Sequence, residues 1–149
     1  MRYLLVDRIL DWKASERIRG IKNVAMTEDF LEFHFPGNPV MPGVLMIEAL
    51  VQLAGWLTGA SSDFKGWFLP DSVDRCKFYG FALPGDQVEL EVEAVAFEKD
   101  KAAFKGIGTV NGKKKAVAEF SGGIIPLSEI GDVEKERRFF KILMRELSL

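Results

Sequence analysis

The sequence predicts an α+β fold in which an antiparallel sheet wraps a long, buried central helix. Two observations carry this. From residue 43 to about 60 the chain is apolar on almost every side, so a helix there needs cover all round rather than on one stripe. Further on, Val88, Leu90 and Val92 alternate with Glu89, Glu91 and Glu93, the period of a half-buried strand. A run of strands with one apolar face supplies the cover that such a helix requires.

Taken in order, residues 4–24 mix short apolar runs with charges, and read as a short helix or irregular lead-in followed by one strand over about 17–26. Thr27, Glu28 and Asp29 form a turn before an aromatic segment. In residues 34–43, Pro36, Pro39 and Pro42 fix φ and remove backbone donors, which makes a stiff loop rather than a helix or central strand. Pro42 suits the first turn of the helix that follows. Glu48 and Gln52, spaced i, i+4, share one face of that helix, and Ser61, Ser62 and Asp63 end it. The strand containing Val88 turns at Lys99, Asp100 and Lys101 into a second strand that runs to Val110. Asn111-Gly112 is a hairpin signal, since both residues tolerate positive φ, and a third strand follows over about 113–124. After Pro126, Phe140, Leu143 and Leu147 recur at i, i+3, i+7, a C-terminal amphipathic helix. Its basic residues Arg137, Arg138, Lys141 and Arg145 face either a structural neighbour or an acidic partner. The division expected is a catalytic domain over 1–125 and a helical extension over 126–149.

The 149 residues suffice for one sizeable core. With 20 basic and 22 acidic side chains, no basic excess points to nucleic acid or an anionic membrane as the main partner. The single cysteine, Cys76, rules out an intrachain disulfide framework, and one histidine argues against an all-protein zinc site. No metal or cofactor is expected. The apolar run at residues 3–6 stops at Asp7 and Arg8, too early for a signal peptide, and the run at 43–57, interrupted by Glu48 and Gln52, falls short of a membrane span. The expected location is cytoplasmic.

The chemistry centres on His34 and Glu48. An imidazole with an ordinary pKa near ~6.5 is suited to general base work. A carboxyl among Ile47, Ala49, Leu50 and Val51 is suited to general acid work if burial desolvates it. Free N–H groups and the positive helix end lie near Gly43, where they could hold an oxyanion. Each part also has a structural reading: a lone histidine is commonly a satisfied core residue, and a Pro-Gly helix start is ordinary. Gln52 is expected to hydrogen-bond Glu48.

The run His34-Phe35-Pro36-Gly37-Asn38-Pro39-Val40-Met41-Pro42-Gly43-Val44-Leu45-Met46-Ile47-Glu48-Ala49-Leu50 resembles the signature of β-hydroxyacyl-acyl carrier protein dehydratases, almost residue for residue. Pro84-Gly85-Asp86 and Leu4-Leu5-Val6-Asp7-Arg8 are similar to the family at matching places, so the likeness runs from about residue 3 to 122. It implies a hotdog fold and dehydration of 3-hydroxyacyl-[acyl carrier protein] to the trans-2-enoyl product. It also implies that His34 and Glu48 meet across a dimer interface, in a homodimer or a trimer of dimers. By the same resemblance Gly43 binds the thioester carbonyl and the Val40 carbonyl orients the imidazole. Phe78 and Phe81, with residues of the central helix, are candidates to line the acyl tunnel, the alternative being that these aromatics belong to the core. Glutamate at position 48 matches the branch that only dehydrates. His34 is assigned the α-proton and Glu48 the departing hydroxyl. The chain departs from the family at Phe33, where glycine is usual, and at Tyr79, Gly80, Phe81 and Ala82, where basic residues and a proline are usual. The alternatives are a hotdog enzyme acting on coenzyme A esters (hydratase or thioesterase-like) and a non-catalytic acyl-binding subunit.

Overall fold

A computed structural model describes residues 4–33 and 37–146. Its strands are β1 (Arg8–Lys13), β2 (Arg17–Asn23), β3 (Gly66–Phe78), β4 (Gln87–Phe97), β5 (Lys101–Val110) and β6 (Lys113–Pro126). Its helices are α1 (Phe30–Phe33), α2 (Gly43–Ser61) and α3 (Val133–Leu143). The strands form one antiparallel six-stranded sheet in the order β1-β2-β4-β5-β6-β3, curled around α2. This is the hotdog arrangement, and the α+β expectation holds.

The alternation in β4 works as expected: Val88, Leu90 and Val92 are buried while Glu89, Glu91 and Glu93 are exposed. Ile18 and Gly20 of β2, Phe104 and Gly106 of β5, and Ala118 and Phe120 of β6 continue the inner face. The helix sits low in this trough because the sheet is small beneath it. A Cβ on Gly106 would lie 3.1 Å from Leu50, and one on Gly108 would lie 2.9 Å from Met46. Leu50, Leu53 and Leu57 are fully buried as a result, each contributing about 1.5–3 kcal/mol. The Asn111-Gly112 turn has φ of 50° and 77°, as the hairpin signal requires.

Three expectations are corrected. The lead-in before β2 is itself a strand, β1, paired with β2 through a register that shifts between Ile9 and Asp11; that irregularity obscures its alternation. The 19-residue α2 is, by length and composition, long enough to cross a membrane, but 67% of the span is buried by the protein's own sheet, as for a core helix. Nor is α2 covered on every side. Val44 is 69% exposed, and with Glu48 and Gln52 it leaves an i, i+4, i+8 stripe with little cover from its own chain.

The C-terminal helix exists and packs on its own core. Phe140 is buried with its ring 5.5 Å from Phe64, 5.8 Å from Trp12 and 6.0 Å from Trp56. Asp132 caps it by accepting from the Lys135 N–H at 3.1 Å. Arg137 does not join a free basic side, because it pairs with Asp63 and stands over the Phe64 ring. Arg138, Lys141 and Arg145 are exposed. Leu147 lies outside the described residues.

Candidate active site

The segments flanking the proline-rich loop are anchored at both ends. On its N-terminal side, Lys22 points inward from β2 with its side chain 4% exposed, and its Nζ lies 2.5 Å from Glu28 and 3.5 Å from Asp7. Asp7 also accepts from the Asn23 N–H at 2.7 Å. Glu28 opens the turn into α1, whose Phe30 and Leu31 are buried. The buried Lys22 ammonium and its two partly exposed carboxylates hold β2 to the segment that opens α1. It was missed in the sequence, although a lysine two residues after Gly20 in an inward-facing register is a signal that a partner must exist. His34 itself, with Phe35 and Pro36, lies outside the described residues.

On the C-terminal side of the loop, the Met41 N–H donates to the Ala82 carbonyl at 2.9 Å. That ties the loop to the Tyr79–Pro84 stretch. The motif Pro84-Gly85-Asp86 is a tight turn: the Asp86 N–H donates to the Leu83 carbonyl at 2.9 Å, and Gly85 has φ of +93°, which an L side chain rarely adopts. The Asp86 carboxylate accepts from the Leu83 N–H at 2.8 Å and closes the turn. Val40 is buried, 2% exposed, two residues before the helix cap.

At the start of α2, Pro42 is the N-cap rather than a first-turn residue, and its carbonyl accepts from Leu45 N–H at 3.0 Å. The Gly43 and Val44 N–H groups can have no acceptor within the helix, so the first turn presents donors and a positive dipole end. A side chain at Gly43 would lie 2.6 Å from Phe78 Cε1, so glycine here admits the Phe78 ring against the helix start. Phe78 is 47% exposed and Phe81 54% exposed. Phe78 and Val44, which is 69% exposed, leave apolar surface uncovered at the helix N-terminus.

Glu48 lies on the open stripe of α2 and is exposed, so the chain itself does not provide the desolvation expected of its carboxyl. Gln52 Nε2 donates to Glu48 Oε1 at 3.1 Å, as expected, while Gln52 Oε1 accepts from the Leu5 N–H at 2.9 Å. The amide therefore fixes the carboxylate and is itself fixed by the N-terminal segment. Among the described residues, Gly43 opens α2 with Phe78 beside it, Glu48 follows in the second turn, and Gln52 stands at the middle of the helix. The arrangement offers an oxyanion donor, an acid and an apolar wall.

The chain matches the family model described as FabA-like domain over residues 1–121. It is 42% identical over 113 residues to the 3-hydroxyacyl-[acyl-carrier-protein] dehydratase FabZ of Haemophilus influenzae, covering 74% of this chain and 76% of that one. It is 43% identical over 125 residues to the protein of the same name from Bacillus pumilus, covering 83% of this chain and 87% of that one. Among solved structures, smu.793 of Streptococcus mutans bound to acetyl CoA shares the fold at a TM-score of 0.65 and 12% identity, over 85% of this chain and 94% of that one.

Proposed function

The chain belongs to the FabA-like domain family, and on that premise we propose that it is a hydro-lyase that dehydrates 3-hydroxyacyl-[acyl carrier protein] to the trans-2-enoyl thioester in fatty-acid or related acyl-chain biosynthesis. The Gly43 N–H holds the thioester carbonyl while His34, oriented by the Val40 carbonyl, takes the α-proton. The electron pair of that C–H bond passes into the enolate held at Gly43. It then forms the Cα–Cβ double bond as the hydroxyl leaves with a proton from Glu48, releasing water. The observation that carries this reading is that Glu48 stands exposed on the open stripe of α2 while the free N–H of Gly43 opens the same helix. Five residues separate them, about 7.5 Å along the helix axis, a span that suits a thioester carbonyl and its β-carbon.

The working unit of this proposal is a homodimer, with three dimers together as its larger form. Strand β3 supports it: 13 residues long, it ends the sheet with Leu69, Val73 and Phe78 exposed, an edge that soluble proteins ordinarily cover. A partner copy on this edge would close over the Val44–Glu48 stripe and exclude water from Glu48. Residues 1–125 form the catalytic domain of this reading and 126–149 its extension; the location is cytoplasmic.

The test is product analysis by mass spectrometry with 3-hydroxyacyl thioesters on acyl carrier protein and on coenzyme A. Enoyl product from the carrier-bound substrate is expected. His34→Ala and Glu48→Gln should each lose roughly 10²–10⁴-fold in rate. Free acid as the product, preference for the coenzyme A ester, or wild-type turnover in either variant would overturn the reading.

A further inference from the structure

Both ends of the segment that carries His34 in the sequence are tied to one turn, Leu83–Asp86, and to the residue before it. We propose that this turn is the positioning element of the candidate site, and that the Asp86 carboxylate is the positioning residue that sets its shape. The proposal rests on the reading of His34 as the general base and of the Gly43 N–H as the oxyanion donor.

Three observations lead to it. First, the ties converge. On the N-terminal side the Val24 N–H donates to the Asp86 carbonyl at 2.9 Å, and the Val24 carbonyl accepts from the Gly85 N–H at 2.8 Å. On the C-terminal side the Met41 N–H donates to the Ala82 carbonyl at 2.9 Å. Val24 and Met41 are 17 residues apart along the chain, yet the carbonyls that receive them belong to residues only four apart. In sequence His34 lies inside the span so closed, and Gly43 comes two residues after it. Val24, Met41 and Ala82 are 2%, 1% and 0% exposed, so water does not compete for these bonds.

Second, the turn is stiff and belongs to the sheet. Pro84 fixes one φ. Gly85 has φ of +93°, and a Cβ there would meet nothing within 4 Å, so glycine is required by the backbone angle rather than by space. The Asp86 N–H donates to the Leu83 carbonyl at 2.9 Å, and its carboxylate takes the Leu83 N–H at 2.8 Å. The next residue, Gln87, begins β4 opposite Asn23 of β2, and its side-chain amide donates to Asn23 Oδ1 at 3.2 Å. A segment whose two feet stand on paired strands keeps its reacting groups at a fixed spacing, and a misplacement of about 1 Å is enough to cost about 10²-fold in rate.

Third, the Asp86 side chain is placed to shape the turn rather than to fill the core. It is half-buried, and the bond it accepts closes its own turn. The carboxylate thereby fixes the angle between the Ala82 and Asp86 carbonyls, the two acceptors that hold the feet of the segment.

The test compares Asp86→Ala, which removes the acceptor, with Asp86→Asn, whose amide oxygen can still take the Leu83 N–H. Each is assayed with 3-hydroxybutyryl-[acyl carrier protein], alongside circular dichroism and light scattering. His34 is the one histidine of the chain, so protein labelled with ¹³C-histidine gives an imidazole signal that reports on this position without relying on turnover. The expected result for Asp86→Ala is a fall of about tenfold in kcat at unchanged KM, with a displaced imidazole signal, and both should recover in Asp86→Asn. Should Asp86→Ala unfold or dissociate, Gly85→Ala decides by the same readouts, because it strains the same turn without filling space. Wild-type kcat, an unmoved imidazole signal, a change in KM alone, or an Asp86→Asn variant as slow as Asp86→Ala would overturn the proposal. Failure of the underlying site assignment shows separately, as wild-type turnover in His34→Ala.

Discussion

Replacing Gly55 by alanine sets two effects of opposite sign against each other at one atom. In the middle of α2, alanine is favoured over glycine by about 0.8–1 kcal/mol of intrinsic propensity. The new Cβ, however, would lie 2.7, 2.8 and 2.9 Å from Trp67 Cζ2, Cε2 and Nε1. Ordinary contact requires the ring to retreat by more than half an ångström. It cannot do so freely, because Trp56 packs edge to face on it and Gly59 backs it one turn on. Overpacking of this kind costs about 1–3 kcal/mol, so Gly55→Ala should destabilise by about 1 kcal/mol net. In a Trp67→Ala background the obstruction is gone and the same substitution should stabilise by about 1 kcal/mol, a coupling of about 2 kcal/mol. Urea denaturation followed by far-ultraviolet circular dichroism, at one fixed protein concentration, measures all four corners of the cycle. If Gly55→Ala stabilises equally in both backgrounds, the Trp67 ring does not occupy the Gly55–Gly59 notch.

Other consequences follow from particular contacts. Glu28→Gln removes the nearer counter-charge of the buried Lys22 ammonium and leaves Asp7 at 3.5 Å, and should lower stability by about 1–2 kcal/mol in denaturant titration; a loss under 0.5 kcal/mol would show that the Lys22–Glu28 pair does not hold the segment. Asp132→Ala removes the acceptor for the Lys135 N–H and should cost about 1 kcal/mol, with the first turn of α3 losing amide-exchange protection before the sheet does. The hydrogen bond from Arg19 holds the Asp11 carboxyl below its ordinary value. The stability it contributes is therefore present above the unfolded value and is lost as pH falls through the folded one. Asp11 is about half exposed, so the effect is under ~1 kcal/mol, and the difference in Tm between wild type and Asp11→Asn should shrink below about pH 4; a difference constant from pH 7 to 3 would contradict the sign.

Much of this was legible in the sequence because it depends on local pattern. The period-2 alternation at Val88, Leu90 and Val92 specifies β4 wherever the strand sits, and Asn111-Gly112 specifies its turn through backbone φ alone. The apolar run from residue 43, the proline loop before it and the i, i+4 pairing of Glu48 with Gln52 are equally local. The signature run made the family recognisable. Strand β3 was not legible. Its register shifts between Pro70 and Ser72 and again between Val73 and Arg75, and its outer half is exposed in the single chain, so it shows no clean alternation. Strand β1 is hidden for the same reason.

Only the tertiary structure could decide what stands around each residue. An apolar helix says that cover is needed, but not where it ends. The sheet leaves the Val44, Glu48 and Gln52 stripe open, because β3 terminates the sheet instead of closing it. The segment that opens α1 is held by Lys22, whose partners Asp7 and Glu28 lie 15 and 6 residues away along the chain, a meeting that no local period encodes. The same is true of the tail. Its apolar positions foretell a helix that must be buried, whereas its seat against Trp56, Phe64 and Trp12 depends on rings brought together from distant parts of the chain. Periodicity is a property of neighbours in sequence, but burial and pairing are properties of neighbours in space, and the sheet that creates those neighbours exists only once the chain has closed around α2.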